Sequence, residues 1–235
     1  GRSKPSLSAY DINPNSPGIM AIIENEFFYT ECDEEFKEQV GDISSKMADR
    51  AGSKYDSNRL QRTFSRFNFR IIHKSNMTHE EMLEFVRKVA HEDFQKNDSC
   101  LFICLLSHGI EDKVMGSNSV PVTINSIRNQ LHSPNLQGKP KVLIIQSCRG
   151  EEIQTLTPTV DFLEIWSTVH GYASIRDPNK GTWFIQSLCD VIDESHERFN
   201  MQEICTKTRE RLLSLEWIRV MVCETRETLM KLLFL

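Results

Sequence analysis

Cys148 closes an apolar stretch, two residues after Gln146, and His108 closes another one 40 residues upstream, directly before Gly109. A cysteine attacks as its thiolate, and a nearby imidazole can take the thiol proton or stabilise the charge that forms. The glycine leaves a backbone N–H unobstructed, as half of an oxyanion-binding pair requires. These residue types suit nucleophilic catalysis. Taken by themselves they also suit a turn beside an inert buried thiol, and spacing alone leaves both readings open.

Two buried strands, at residues 100–106 and 141–146, would carry the pair, each a continuous apolar run stopped by polar residues and glycine. Further strands are expected at 19–23, 69–73, 120–122 and 162–166, with two late extended segments at 219–223 and 229–234. Helices are expected at 56–67, where Leu60, Phe64 and Phe67 share one face, and after Thr78, which has capping-box spacing to Glu81. Three more fall at 124–131, 181–192 and 201–213, and the polar stretch 30–54 reads as loop. Strands alternating with helices imply an α/β fold with a mainly parallel sheet, which binds ligands beyond the carboxyl ends of its strands. Residues 1–18, with three prolines, read as an extended arm, and 19–235 as one domain with its likeliest break at 151–160.

The whole chain has 235 residues, 39% of them hydrophobic and 26% charged, with a net charge of −5. That size buries a sufficient core without staples. The acidic balance argues against a nucleic-acid partner, and no apolar run approaches the ~18 residues of a membrane span. The seven cysteines form no CxxC pair and sit near no paired histidines, so no metal and no cofactor is expected. Cys100 and Cys104 read as buried free thiols, and a reducing, cytoplasmic setting fits the set.

Gln146-Ser147-Cys148-Arg149-Gly150 resembles the caspase pentapeptide Q-A-C-R-G with serine for alanine, and Leu105-Leu106-Ser107-His108-Gly109 matches that family's histidine segment. Further matches follow in order: Arg50-Ala51-Gly52-Ser53, Gly138-Lys139-Pro140-Lys141, Asp161-Phe162-Leu163, Gly171-Tyr172, and the segment from Gly181 to Cys189. The resemblance covers roughly residues 19–235. It implies a caspase-like three-layer sandwich, a mainly parallel central sheet flanked by helices, with a large-subunit half at 19–150, a linker at 151–160 and a small-subunit half at 161–235. It further implies a cysteine endopeptidase that cuts protein substrates after aspartate in apoptotic or related signalling. Cys148 would be the nucleophile, His108 the proton donor to the leaving amine, and the backbone of Gly109 and Cys148 the oxyanion site. Arg50, Gln146, Ser174 and Arg176 would hold the substrate's aspartate, planar charge-assisted donors being what a buried carboxylate needs. Pairing, as a homodimer or with another caspase, would use Arg219-Val220-Met221-Val222-Cys223-Glu224 as an edge strand.

Three departures accompany the resemblance. Ile175 stands where the family usually has tryptophan. Only Ser214-Leu215-Glu216-Trp217 separates the last helix from the following extended segment, where the family has a substantial substrate loop. The linker is short, and no aspartate occurs between Lys113 and Val160 for processing. These features raise a second reading, a weakly active or inactive homologue that regulates an active caspase by heterodimerisation.

Overall fold

The computed structural model describes residues 7–40, 47–148, 160–168, 176–215 and 221–235. In chain order the first half runs β1 (Gly18–Glu24), α1 (Lys37–Val40), α2 (Ser53–Ser65), β2 (Arg70–Ser75), α3 (His79–Lys88) and β3 (Cys100–Leu106). A small antiparallel sheet follows, β4 (Gly109–Ile110), β5 (Lys113–Met115) and β6 (Pro121–Thr123), then α4 (Ile124–Asn129) and β7 (Lys141–Gln146). The second half runs β8 (Phe162–Trp166), β9 (Arg176–Asp177), β10 (Gly181–Thr182), α5 (Trp183–Ser195), α6 (Met201–Ser214) and β11 (Glu224–Glu227).

The central sheet has the order β11-β8-β7-β3-β1-β2, parallel except for β11 at one edge. Its strands read as continuous apolar runs because both faces are covered. In β3, Cys100, Phe102, Cys104 and Leu106 join one core with Leu60 and Phe64 of α2, Ile185 and Leu188 of α5 and Ile204 of α6. Leu101, Ile103 and Leu105 join the opposite core with Met82 and Phe85 of α3 and Ile127 of α4. A strand's period of two sorts one apolar run into two cores, each buried Leu or Ile stabilising by roughly 1.5–3 kcal/mol. This is the expected three-layer α/β sandwich. The capping box is formed as read: Thr78 Oγ1 accepts from the Glu81 N–H and Glu81 Oε2 from the Thr78 N–H.

Four sequence expectations are corrected. Residues 30–54 are not loop throughout, since a 3-10 turn at Glu34–Phe36 leads into α1. Gly181 and Thr182 form β10, and the helix starts at Trp183, with Thr182 as its cap. The last sheet strand is Glu224–Glu227, displaced beyond 219–223. Met221 and Cys223 are buried in the core with α6, whereas Arg219 and Val220 lie outside the described residues. The apolar pattern misleads because this strand is covered on one flank only and carries polar side chains, so hydrophobicity does not mark it. The segment 229–234 contributes one bridge, Leu232 beside Ala9, and no strand. There the arm packs down: Tyr10 O–H donates to Asp161 Oδ1 at 2.6 Å, and its N–H donates to the Leu232 carbonyl at 2.9 Å.

A buried ion pair joins α4 to the sheet, with Arg128 Nε 2.9 Å from Glu164 Oε1 and both side chains at most 6% exposed. Burial pushes the Glu164 carboxyl above its ordinary value, against the opposing pull of Arg128. Glu164→Ala strands the guanidinium, which should cost about 3–5 kcal/mol. Urea unfolding checks this, and a loss under 1 kcal/mol would show that Arg128 finds water or another partner.

Candidate active site

β3 and β7 are parallel neighbours, and their last residues, Leu106 and Gln146, stand opposite each other. His108 and Cys148 each lie two residues past that pair, so register carries both to the same end of the sheet. Beyond it the chains stay in contact: the Ser107 N–H donates to the Gln146 carbonyl at 3.3 Å. A Cβ added to Gly109 would lie 2.7 Å from the Ser147 side chain and 2.7 Å from the Lys113 carbonyl oxygen. Only glycine allows the backbone after His108 to lie against the residue before Cys148.

His108 Nε2 lies 2.7 Å from the Ala48 carbonyl, and its ring centroid 4.8 Å from that of Phe28. A carbonyl only accepts, so the proton sits on Nε2 and the neutral ring keeps its lone pair on Nδ1. Burial holds the imidazole below its ordinary value of 6.5; the Ala48 bond opposes this, and Arg50 and Arg176 reinforce it. The ring should therefore titrate below pH 6.5 and be neutral at pH 7. An NMR titration giving a midpoint above 6.5 would contradict this environment.

Arg50 and Arg176 arrive from separate segments that two glycines let meet. Gly52, at φ +89°, lies so close to the turn after β9 that an added Cβ would be 2.4 Å from the Pro178 carbonyl oxygen. Gly181, at φ +93°, lies equally close to Asp56 Oδ1, at 2.4 Å. Arg50 is 3% exposed and donates to the Asn25 carbonyl at 3.1 Å and to Ser53 Oγ at 2.9 Å. Its guanidinium is pulled down to about 10, chiefly by burial and then by the charge of Arg176. Arg176, half-buried, is lowered by burial as well, and Cys148 acts electrostatically on both arginines. Among the described residues neither guanidinium has an ion-pair partner. Gln146 is buried at the end of β7, and Ser174, Ile175 and the linker 151–159 lie outside the described residues.

Residues 21–234 match the family profile described as a caspase domain. The chain belongs to the caspase family. Caspase relatives include the Drosophila pseudoobscura pseudoobscura protein called caspase-8, 32% identical over 219 residues, covering 87% of this chain and 42% of that protein. The Bos taurus caspase-3 is 32% identical over 224 residues, covering 87% of this chain and 76% of that protein, and the Mus musculus caspase-3 is 31% identical over 225 residues. The chain thus spans less than half the length of the caspase-8 relative. The family is one of cysteine-type peptidases.

In this caspase burial favours the protonated thiol at five of the seven cysteines, Cys100, Cys104, Cys189, Cys205 and Cys223. Cys148 differs in being half-exposed at a strand end, near two guanidiniums. No group of three or more metal-ligating side chains occurs among the described residues, and no helix there is long and apolar enough to cross a membrane. Sequence reasoning missed Ala48, which orients His108, and Asp56, which is wholly buried beside the arginines. The signal for Asp56 was present: it shares a helix face with Leu60 and Phe64, an acid where the pattern calls for an apolar residue.

Proposed function

We propose that this caspase is a cysteine endopeptidase hydrolysing peptide bonds after aspartate, in apoptotic or related signalling proteolysis in the cytoplasm. The observation that carries the reading is Arg50, a buried guanidinium without a carboxylate partner among the described residues, electrostatically coupled to Cys148. A buried guanidinium without a contacting carboxylate is costly, and an incoming aspartate side chain would offset that cost while fixing the scissile bond beside the thiol. Arg176 and Gln146 would complete this pocket, and the family resemblance adds Ser174, which lies outside the described residues.

The Cys148 thiol gives its proton to the free Nδ1 of neutral His108, the resulting thiolate attacks the scissile carbonyl carbon, and the backbone N–H groups of Gly109 and Cys148 hold the oxyanion. Protonated His108 gives a proton to the departing amine as the C–N bond breaks, leaving a thioester. The neutral imidazole then takes a proton from the water that hydrolyses the thioester, and Cys148 is released. The domain divides into halves at 19–150 and 161–235 around the linker 151–160, in the manner of a zymogen. Pairing, with a second copy or another caspase, would use β11, the outermost strand of the sheet on that side.

A second reading, a regulator with little activity, is favoured by the absence of aspartate between Lys113 and Val160 and by the short segment after α6. Turnover of fluorogenic peptides ending in aspartate, set against the same peptides ending in asparagine, separates the two. Aspartate-dependent cleavage supports the enzyme, and its absence supports the regulator.

A further inference from the structure

Asp56 lies in the first turn of α2, fully buried. Its Oδ1 accepts from the Thr182 N–H at 2.8 Å and from Gln186 Nε2 at 2.9 Å, while Oδ2 is buried without a hydrogen-bond partner among the described residues. Thr182 is the cross-strand neighbour of Arg176 in the β9–β10 hairpin. The carboxylate therefore anchors the strand opposite the one that carries Arg176. It also acts electrostatically on both guanidiniums, and on each it is the largest influence favouring the charged form. Two cations, one buried and one half-buried, thus face one buried carboxylate that has an oxygen unspent.

Resting on the aspartate-pocket reading above, we propose that Asp56 is a specificity-determining carboxylate. It positions Arg176 through the β10 backbone and stands in for the substrate's aspartate as counter-charge to Arg50 and Arg176 while the pocket is empty. When a substrate carboxylate enters, two anions face the same two cations, and the ionised form of Asp56 competes with it. Removing the Asp56 charge leaves two guanidiniums for one ligand carboxylate, and binding tightens.

Burial already pushes the Asp56 carboxyl up to about 6, against the bonds from Gln186 and Thr182 and the charge of Arg50. The charged or titratable groups around it are Arg50 before α2, Arg176 on β9, Cys104 on β3 and Cys189 on α5. Glu24 on β1 and His108 act on or feel the same Arg50 charge. Below pH 6 Asp56 is neutral and does not compete, and as pH rises through 6 it ionises and does. A substrate aspartate, with an ordinary value near ~3.9, stays charged throughout. Affinity for an aspartate-ending peptide should therefore weaken as pH rises. Each unit of coupling between the two carboxyls is a factor of about ten, so a change of roughly three- to tenfold between pH 5.5 and 7.5 is expected.

The test uses the Cys148→Ala form of this 235-residue chain, which binds without cleaving, titrated calorimetrically with an unlabelled aspartate-ending tetrapeptide and its asparagine-ending counterpart. A His108→Gln companion removes the imidazole's share of any pH effect. Adding Asp56→Asn, which keeps an oxygen acceptor at Oδ1, should tighten aspartate-peptide binding at pH 7.5 at least ~threefold and flatten the pH dependence. Unchanged affinity and slope would overturn the proposal while leaving the pocket reading intact. If Asp56→Asn fails to fold by circular dichroism, the protein retaining Asp56 decides. At pH 6.5 binding should take up protons, seen as heats that vary with buffer ionisation enthalpy, and no uptake overturns the proposal. Should the two peptides bind alike, the aspartate pocket itself is wrong and the role of Asp56 falls with it.

Discussion

Cys148→Ala is expected to abolish cleavage of aspartate-ending peptides, and His108→Ala to remove nearly as much, each lowering kcat by at least ~10⁴-fold. The two residues stand two positions past a matched register pair on adjacent parallel strands. His108 is held by Ala48 in the tautomer that leaves Nδ1 available. Groups that act as one unit fail together, so the double variant should be little worse than either single one. The other cysteines offer no substitute. Five are buried and held as thiols, and the sixth, Cys32, is exposed on the loop before α1. The check is steady-state turnover on protein purified without a wild-type carrier. Substantial activity in Cys148→Ala would sink the catalytic assignment, and two single losses that simply multiply in the double variant would show independent roles.

The second large effect is expected at the pocket. Arg50→Ala should lower kcat/KM toward aspartate-ending peptides by at least ~30-fold, since removing one partner of a buried charge pair costs roughly 2–5 kcal/mol. Arg176→Ala should act in the same direction with a smaller loss, because that guanidinium is half-exposed and solvent screens it. Arg50→Lys should not restore the rate, since an ammonium lacks the planar fork that reaches Asn25, Ser53 and a carboxylate together. The losses belong to aspartate recognition only if residual cleavage of asparagine-ending peptides is little changed. A drop below threefold for Arg50→Ala, in protein that unfolds at the wild-type urea midpoint, means that the carboxylate binds elsewhere.

The layered fold was legible in the sequence because β1, β3 and β7 are buried on both faces, and such strands appear as unbroken apolar runs whatever surrounds them. The capping box at Thr78 was equally local, its donors and acceptors lying within one helical turn. The edge strand was not legible. Glu224–Glu227 has one covered flank and polar side chains, so hydrophobicity pointed to the segment before it, whose Met221 and Cys223 serve the core instead. The segment at 229–234 misled in the same way, its apolar residues being consumed in packing against the arm and not in a ladder.

The sequence by itself determined the family and nominated Cys148, His108, Gly109, Arg50, Gln146 and Arg176 as candidates for its site, because those types sit inside short motifs that survive as contiguous text. Only the tertiary structure decided how they could meet. The register of β3 against β7 aligns the histidine and the cysteine, Gly52 and Gly181 let two distant segments close around the arginines, and Ala48 selects one tautomer of His108. Asp56 belongs wholly to that second class. In the sequence it is one acid on an apolar helix face, and its bearing on the arginines exists only because folding brings β10, and through it the Arg176 strand, against α2, where Asp56 and Arg50 are both buried.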